Sequence, residues 1–255
     1  MRFKIRLNGY DNIFKQVLNL VFIIYFIASV CYKKTSTVLV AQSKILLVKE
    51  IKKLNHAFYN RVDVAKIARE LLGKILITTF DNKLTSGRIV ETEAYAGVVD
   101  KASHAYGGRR TNRTEIMYRD AGNSYVYLCY GIHHLFNVIT NAQDVPHAIL
   151  IRALEPLEGI DTMLERTGKI KVDYTLTKGP GNVSKALGLF THHTGTNLSG
   201  DEIFIGDDGF KISPKNILIT KRIGVDYAAE DAALPYRFII KGNKFVSGKK
   251  SINEE

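Results

Sequence analysis

Hydrophobic and polar positions change period several times along the chain. Val62–Leu72 places apolar side chains at helical spacing, with Asp63 positioned as an N-cap and Gly73 as a stop. Two runs of strand character follow, Lys74–Phe80 and Gly87–Tyr95, with the turn formers Asp81 and Asn82 between them. Ser124–Tyr130 and Ala148–Leu154 are further β-rich runs. Helices are predicted over Glu158–Arg166 and around Gly181–Leu187, and the tail alternates again around Ile217–Val225 and Tyr236–Lys241. Strands and helices mix without a regular βαβ rhythm, which predicts an α+β fold rather than a doubly wound parallel sheet.

The start of the chain is patterned differently. Basic residues precede an uncharged apolar run from Val17 to Tyr32, broken only by Asn19 and Ser29. The run is short for a membrane span and is shaped like a signal peptide or short anchor. An over-extended reading frame is the third reading. No methionine lies between Met1 and Met117, so a start near Leu46 to Glu50 would need another start codon.

Composition sets the class. With 255 residues and 45% apolar content, the chain can bury one substantial core. The net charge of +11 points to nucleic acid or an acidic membrane, but residues 1–60 hold ten Lys and Arg against only Asp11 and Glu50. The remainder is close to balanced, so a local basic patch has to carry any nucleic-acid reading. Cys31 and Cys129 have neither a CxxC partner nor zinc-ligand spacing, which argues against a disulfide framework and a structural metal and fits a reducing compartment.

Candidate chemistry concentrates after Gly87. In a strand over Gly87–Tyr95, the side chains of Glu91, Glu93 and Tyr95 share one face. Acids on such a face are either solvated or have a task inside a cleft. Arg152, an isolated charge between Ile151 and Ala153, needs a carboxylate partner if buried; a Glu and an Arg facing one cavity could hold a water between them. Asp100, His104 and the cluster Arg109, Arg110, Arg113 and Arg119 make the best local patch for an anionic ligand. Tyr125 and Tyr127 read as ordinary sheet aromatics. Tyr130, before Gly131, is placed for a loop tip, where an exposed ring is a candidate wedge between stacked bases. Asn137 could read a base edge or cap a turn. The pairs His133-His134 and His192-His193 have no metal-site spacing. Lys178-Gly179-Pro180-Gly181 lacks the spacing of a nucleotide-hydrolysing loop, although Lys178 and glycine amides ahead of a helix could contact a phosphate.

These segments together resemble a known family. Glu93 in RIVETEAYAG, His104 in DKASHAYGGRRTNRT, the tyrosines of SYVYLCYGIHHLFNV, Arg152 in ILIRALEPLEG and the loop TKGPGNVSKALG are similar, in the same order, to the alkyladenine (3-methyladenine or methylpurine) DNA glycosylases. The likeness runs from about Leu54 to the C-terminal region. It implies a single compact α+β domain over residues 51–255, with a curved, mainly antiparallel sheet and peripheral helices, after an N-terminal extension of residues 1–50. By the resemblance, Glu93 is the general base, with Arg152 and the backbone carbonyl of Ile223 holding the attacking water. Tyr95, Tyr127 and His104 form the pocket for an extruded purine, Tyr130 intercalates, and Asn137 discourages attack on normal guanine.

The implied activity is that of a monofunctional, cofactor-free and metal-free glycosylase that flips alkylated or deaminated purines out of duplex DNA. Tyr130, Arg109, Arg110, Arg113 and Lys178 are the expected DNA contacts. The expected partner is double-stranded DNA with damaged purines, met by a monomer with no obligatory protein partner. The expected location is cytoplasmic and nucleoid-associated, membrane anchoring through residues 17–32 being the less favoured reading. A catalytically silent damage-sensing module is the alternative, against which intact Glu93 and Arg152 argue.

Overall fold

The computed structural model describes residues 51–248. The expectations for residues 1–50, the apolar run at 17–32 included, lie outside the described residues. No helix among the described residues is long and apolar enough to cross a membrane.

The element order is β1 (Lys52–Lys53), α1 (His56–Tyr59), α2 (Val64–Glu70), β2 (Ile75–Phe80), β3 (Lys83–Tyr95), β4 (Ser124–Cys129), β5 (His133–Thr140), β6 (His147–Glu158), α3 (Ile160–Thr167), α4 (Pro180–Leu187), β7 (Ile203–Asp207), β8 (Ile217–Thr220) and β9 (Arg237–Ile240). Short 3-10 turns fill many of the connections. All strands join one antiparallel sheet in the order β1-β7-β2-β3-β6-β5-β4, with β9 on the C-terminal half of β3 and β8 beside β9. The fold is α+β, as the mixed periodicity predicts.

Local chemistry explains the boundaries. Asp63 caps α2 by accepting from the Lys66 amide at 2.9 Å, and Gly73 follows the helix at φ +83°. Asp81 and Asn82 both adopt left-handed backbone, φ +52° and +58°, which suits the tight β2–β3 hairpin. The predicted helix at Glu158–Arg166 starts later, because β6 continues through Glu158 and Gly159 turns the chain at φ +73°. Of the predicted tail strand Ile217–Val225, only Ile217–Thr220 is a strand; residues 221–225 form a loop that returns to the sheet. Strands β1, β5 and β7 have no counterpart in the periodicity.

The two sheet faces separate core from chemistry. Ile149 and Ile151 of β6, Val126 of β4, Phe136 and Val138 of β5, and Ala94 of β3 enter the main core, which also takes Ile67 of α2, Met163 of α3 and Val183 and Ala186 of α4. Intervening residues point the other way, as strand alternation requires. They include Tyr95, Tyr125, Tyr127, Asn137, Leu150 and Arg152.

Two β-bulges adjust that alternation beside the acids. Ile89 pairs with Leu154 and Glu91 with Ala153, so Val90 is extra on β3; Thr92 pairs with Ile151, so Arg152 is extra on β6. A straight strand would put Ile89 on the face of Glu91. The bulge at Val90 resets the phase, so Ile89 packs in the main core while Glu91 turns to the opposite face.

Candidate active site

The second face of the sheet floors a cleft of about 580 Å³. Its lining brings together Tyr95 of β3, Tyr127 of β4, Asn137 of β5 and Arg152 of β6. Loops add His104, Arg113, Tyr130, Lys178 and Ile223. Nine of the residues singled out by sequence therefore converge on one concave surface, although they span more than 120 positions of the chain.

Glu93 lies just behind this lining. Its side chain is fully buried. Oε2 accepts from the Tyr95 hydroxyl at 2.9 Å and from Arg152 Nη1 at 3.2 Å, while Oε1 accepts the backbone N–H of Ile223 at 2.8 Å. The carboxylate is thus held by three donors from three segments. Burial, then the neighbouring Glu93 carboxylate, hold the Tyr95 phenol well above its usual pKa, so it stays a donor at neutral pH.

A second buried acid stabilises the first. Glu91 accepts from Arg152 Nε at 2.9 Å, Arg237 Nε at 2.7 Å, the Ser247 amide at 2.7 Å and the Ser247 hydroxyl at 2.8 Å. Arg237, 1% exposed, also donates to the Ser247 carbonyl at 2.7 Å. Burial works against the charge of Arg152, but Glu93 and Glu91 outweigh it and raise its pKa. Two acids and two arginines make a charge-balanced cluster, and removing any member would strand a buried charge.

A further pair fixes the loop that carries Ile223. Arg222 makes a two-pronged ion pair with Asp100 and donates to the Ala94 and Asp231 carbonyls, with its guanidinium 4.8 Å from the centre of the Tyr95 ring. Asp100 also accepts the Ala96 and Ala102 amides. Arg222, Arg237, Ser247 and the clamping role of Asp100 escape sequence reasoning, since their partners lie up to 156 residues away. Arg237 does carry the signal that marked Arg152, a lone charge opening an apolar strand run.

The aromatic wall is equally ordered. His104 Nδ1 is hydrogen-bonded to the Tyr125 hydroxyl at 2.9 Å, and its ring meets Tyr127 edge to face at 4.6 Å. Burial, then Arg113 and Arg109, lower the His104 pKa to about 4, so the imidazole is neutral at pH 7. Asn137 donates its amide hydrogens to the Tyr125 and Leu135 carbonyls at 3.1 and 3.2 Å, which fixes the side chain in place.

Tyr130 projects from the β4–β5 turn with 90% of its surface exposed. Tyr130 and Gly131 both have left-handed backbone, φ +50° and +72°, and the Ile132 amide closes the turn on Cys129 O at 3.2 Å. A tyrosine in that conformation is strained by roughly 1–2 kcal/mol, a cost borne to display the ring.

The expected cationic contacts divide. Arg113 reaches the cleft with its guanidinium 5.1 Å from the Tyr127 ring centre, and Lys178 lines it ahead of α4. Arg109 is exposed but outside the lining. Arg110 is committed within the fold: it grips both oxygens of Glu115 at 2.8 Å, pairs with Asp144 at 2.7 Å and lies over Tyr118. Ile223 meets Glu93 through its N–H, a contact that does not engage the carbonyl expected to hold the water.

The methylpurine-DNA glycosylase family model matches residues 57–244. The chain belongs to this family. Among its relatives, a Clostridium perfringens protein bearing the name 3-methyladenine DNA glycosylase is 45% identical over 205 residues, 77% of this chain and 100% of the relative. Similarly named proteins of Desulfitobacterium hafniense and Chlamydia felis are 41% identical over 208 residues and 46% over 192, covering 78% and 75% of this chain and 100% and 97% of theirs. As a methylpurine-DNA glycosylase it is a hydrolase of N-glycosyl bonds, and its substrate is damaged DNA with alkylated bases.

Proposed function

We propose that the protein extrudes alkylated and deaminated purines from duplex DNA and hydrolyses the glycosidic bond with a water activated by Glu93. The observation that carries this reading is the fixed, buried carboxylate of Glu93 behind an aromatic cleft, tied to Tyr95, Arg152 and Ile223. A base in the stack cannot be reached, so extrusion comes first and costs roughly a few kcal/mol in stacking and pairing. Damaged bases pair poorly, which reduces that cost. Tyr130 fills the space vacated, while Tyr95, Tyr127 and His104 enclose the base.

Bond cleavage then develops positive charge on the sugar, as in other glycoside hydrolyses. Ionised Glu93 stabilises that charge and takes a proton from the attacking water, with Arg152 holding the water and carboxylate in register. Cationic alkylpurines leave readily. For neutral hypoxanthine, the neutral His104 side chain supplies a hydrogen bond to the departing base. Asn137, held by two backbone carbonyls, cannot swing away and so excludes the amino group of normal guanine by its fixed bulk. Lys178 and Arg113 neutralise backbone phosphates at the rim.

The enzyme works as a monomer and without a Schiff-base lysine. Free base should be released from methylated and from hypoxanthine-containing duplex DNA with chelator present, and borohydride should trap no enzyme–DNA adduct. A trapped adduct would overturn the water-based mechanism.

A further inference from the structure

Tyr130 is not the only exposed aromatic at the mouth of the cleft. Tyr227 lines the same cleft with 69% of its surface exposed. Its position is nevertheless fixed. Val225 and Ala228, on either side in the chain, are buried in a small cluster with Ala102, against which Tyr95 and Ala232 pack. The Tyr227 hydroxyl donates to the Ala102 carbonyl at 3.1 Å, tying the loop after Ile223 to the segment leading into His104.

Its place in the chain locates its contact. Ile223 is bound to Glu93, so the reacting carbon of a bound nucleotide must lie beside residues 223–225. The base extends inward to Tyr127 and His104, which leaves the deoxyribose at the rim, next to the following turn of the same loop. That turn carries Tyr227.

We propose that Tyr227 is a second substrate-binding aromatic, packing its ring against the deoxyribose of the extruded nucleotide and shielding it from bulk water. This rests on the reading of the cleft as a base-extrusion site. The ring holds the flipped state from the sugar side, while Tyr130 holds it from within the duplex. The hydroxyl tie to Ala102 orients the ring but is not the contact itself.

The test compares Tyr227→Ala, Tyr227→Leu and Tyr227→Phe with wild type on a hypoxanthine-containing duplex, reading single-turnover rate and the enzyme concentration at half-maximal rate, with melting curves alongside. Tyr227→Phe keeps the ring and should stay within about twofold of wild type, whereas Tyr227→Ala should lose about tenfold in the ratio of single-turnover rate to half-saturating enzyme concentration, the scale of one lost apolar side-chain contact. Tyr227→Leu keeps apolar bulk without the flat face and should fall between them. Equal losses in the Phe and Ala variants would reduce Tyr227 to a loop tie and overturn the proposal. Unchanged excision by Tyr227→Ala would also overturn it while leaving the glycosylase mechanism intact; absence of base release by wild type would instead overturn the mechanism.

Discussion

The backbone N–H of Ile223 donates to Oε1 of Glu93 at 2.8 Å across 130 positions of sequence. This contact depends on the Asp100–Arg222 clamp, which holds the neighbouring residue against β3. Asp100→Asn retains the shape but leaves the buried Arg222 without its counter-charge. A loss of about 3–5 kcal/mol in stability is expected, the usual scale for breaking a buried pair. Below its melting transition the variant should also show a reduced kcat, read by single-turnover excision. Wild-type kcat in a destabilised Asp100→Asn protein would show that the loop needs no clamp.

Glu91 and Glu93 should respond differently to the same substitution. Glu91→Gln weakens the hold on both Arg152 and Arg237, so it should lower the melting temperature more than Glu93→Gln does. Glu93→Gln should chiefly remove activity while damaged-duplex binding persists. Thermal unfolding and binding assays on the two variants check this ordering.

His104 should stay uncharged through mildly acidic pH. Its pKa falls from 6.5 to about 4 on folding, so below 6.5 the unfolded chain takes up a proton that the folded protein does not. The contribution of His104 to stability is therefore complete above pH 6.5 and is lost as pH falls from there through about 4. His104→Gln should flatten this part of the stability–pH curve, and an NMR titration should find the ring neutral at pH 5.5.

Tyr130→Gly relieves a left-handed tyrosine in an exposed turn, where nothing else would be displaced. The melting temperature should hold or rise slightly, while excision from a well-paired duplex drops. The drop should be smaller when the damaged base is mispaired, because the extruded state then needs less support. An equal loss on both duplexes would separate Tyr130 from extrusion.

Much of this arrangement can be read from the chain. The acid face of β3, the capping Asp63, the hairpin at Asp81-Asn82 and the loop-tip placement of Tyr130 all follow from local rules, because each depends on neighbours within a few residues. The bulges at Val90 and Arg152 do not, since a bulge appears only when two strands are paired. Strand β5 is masked by the turn and the paired histidines that open it. The Glu91–Arg237–Ser247 and Asp100–Arg222 contacts join distant segments, and no local pattern announces such partners. Arg110 shows the reverse case: within an arginine-rich loop it reads as a free cation, yet Glu115 and Asp144 take up its donors.

The most direct measurement is release of free base from alkylated duplex DNA by wild type and Glu93→Gln side by side. Wild-type release, with loss of at least about a hundredfold in the variant while damage-selective binding is retained, is the predicted result for removal of a general base. Comparable release by Glu93→Gln would contradict the assignment of Glu93 as the group that activates water.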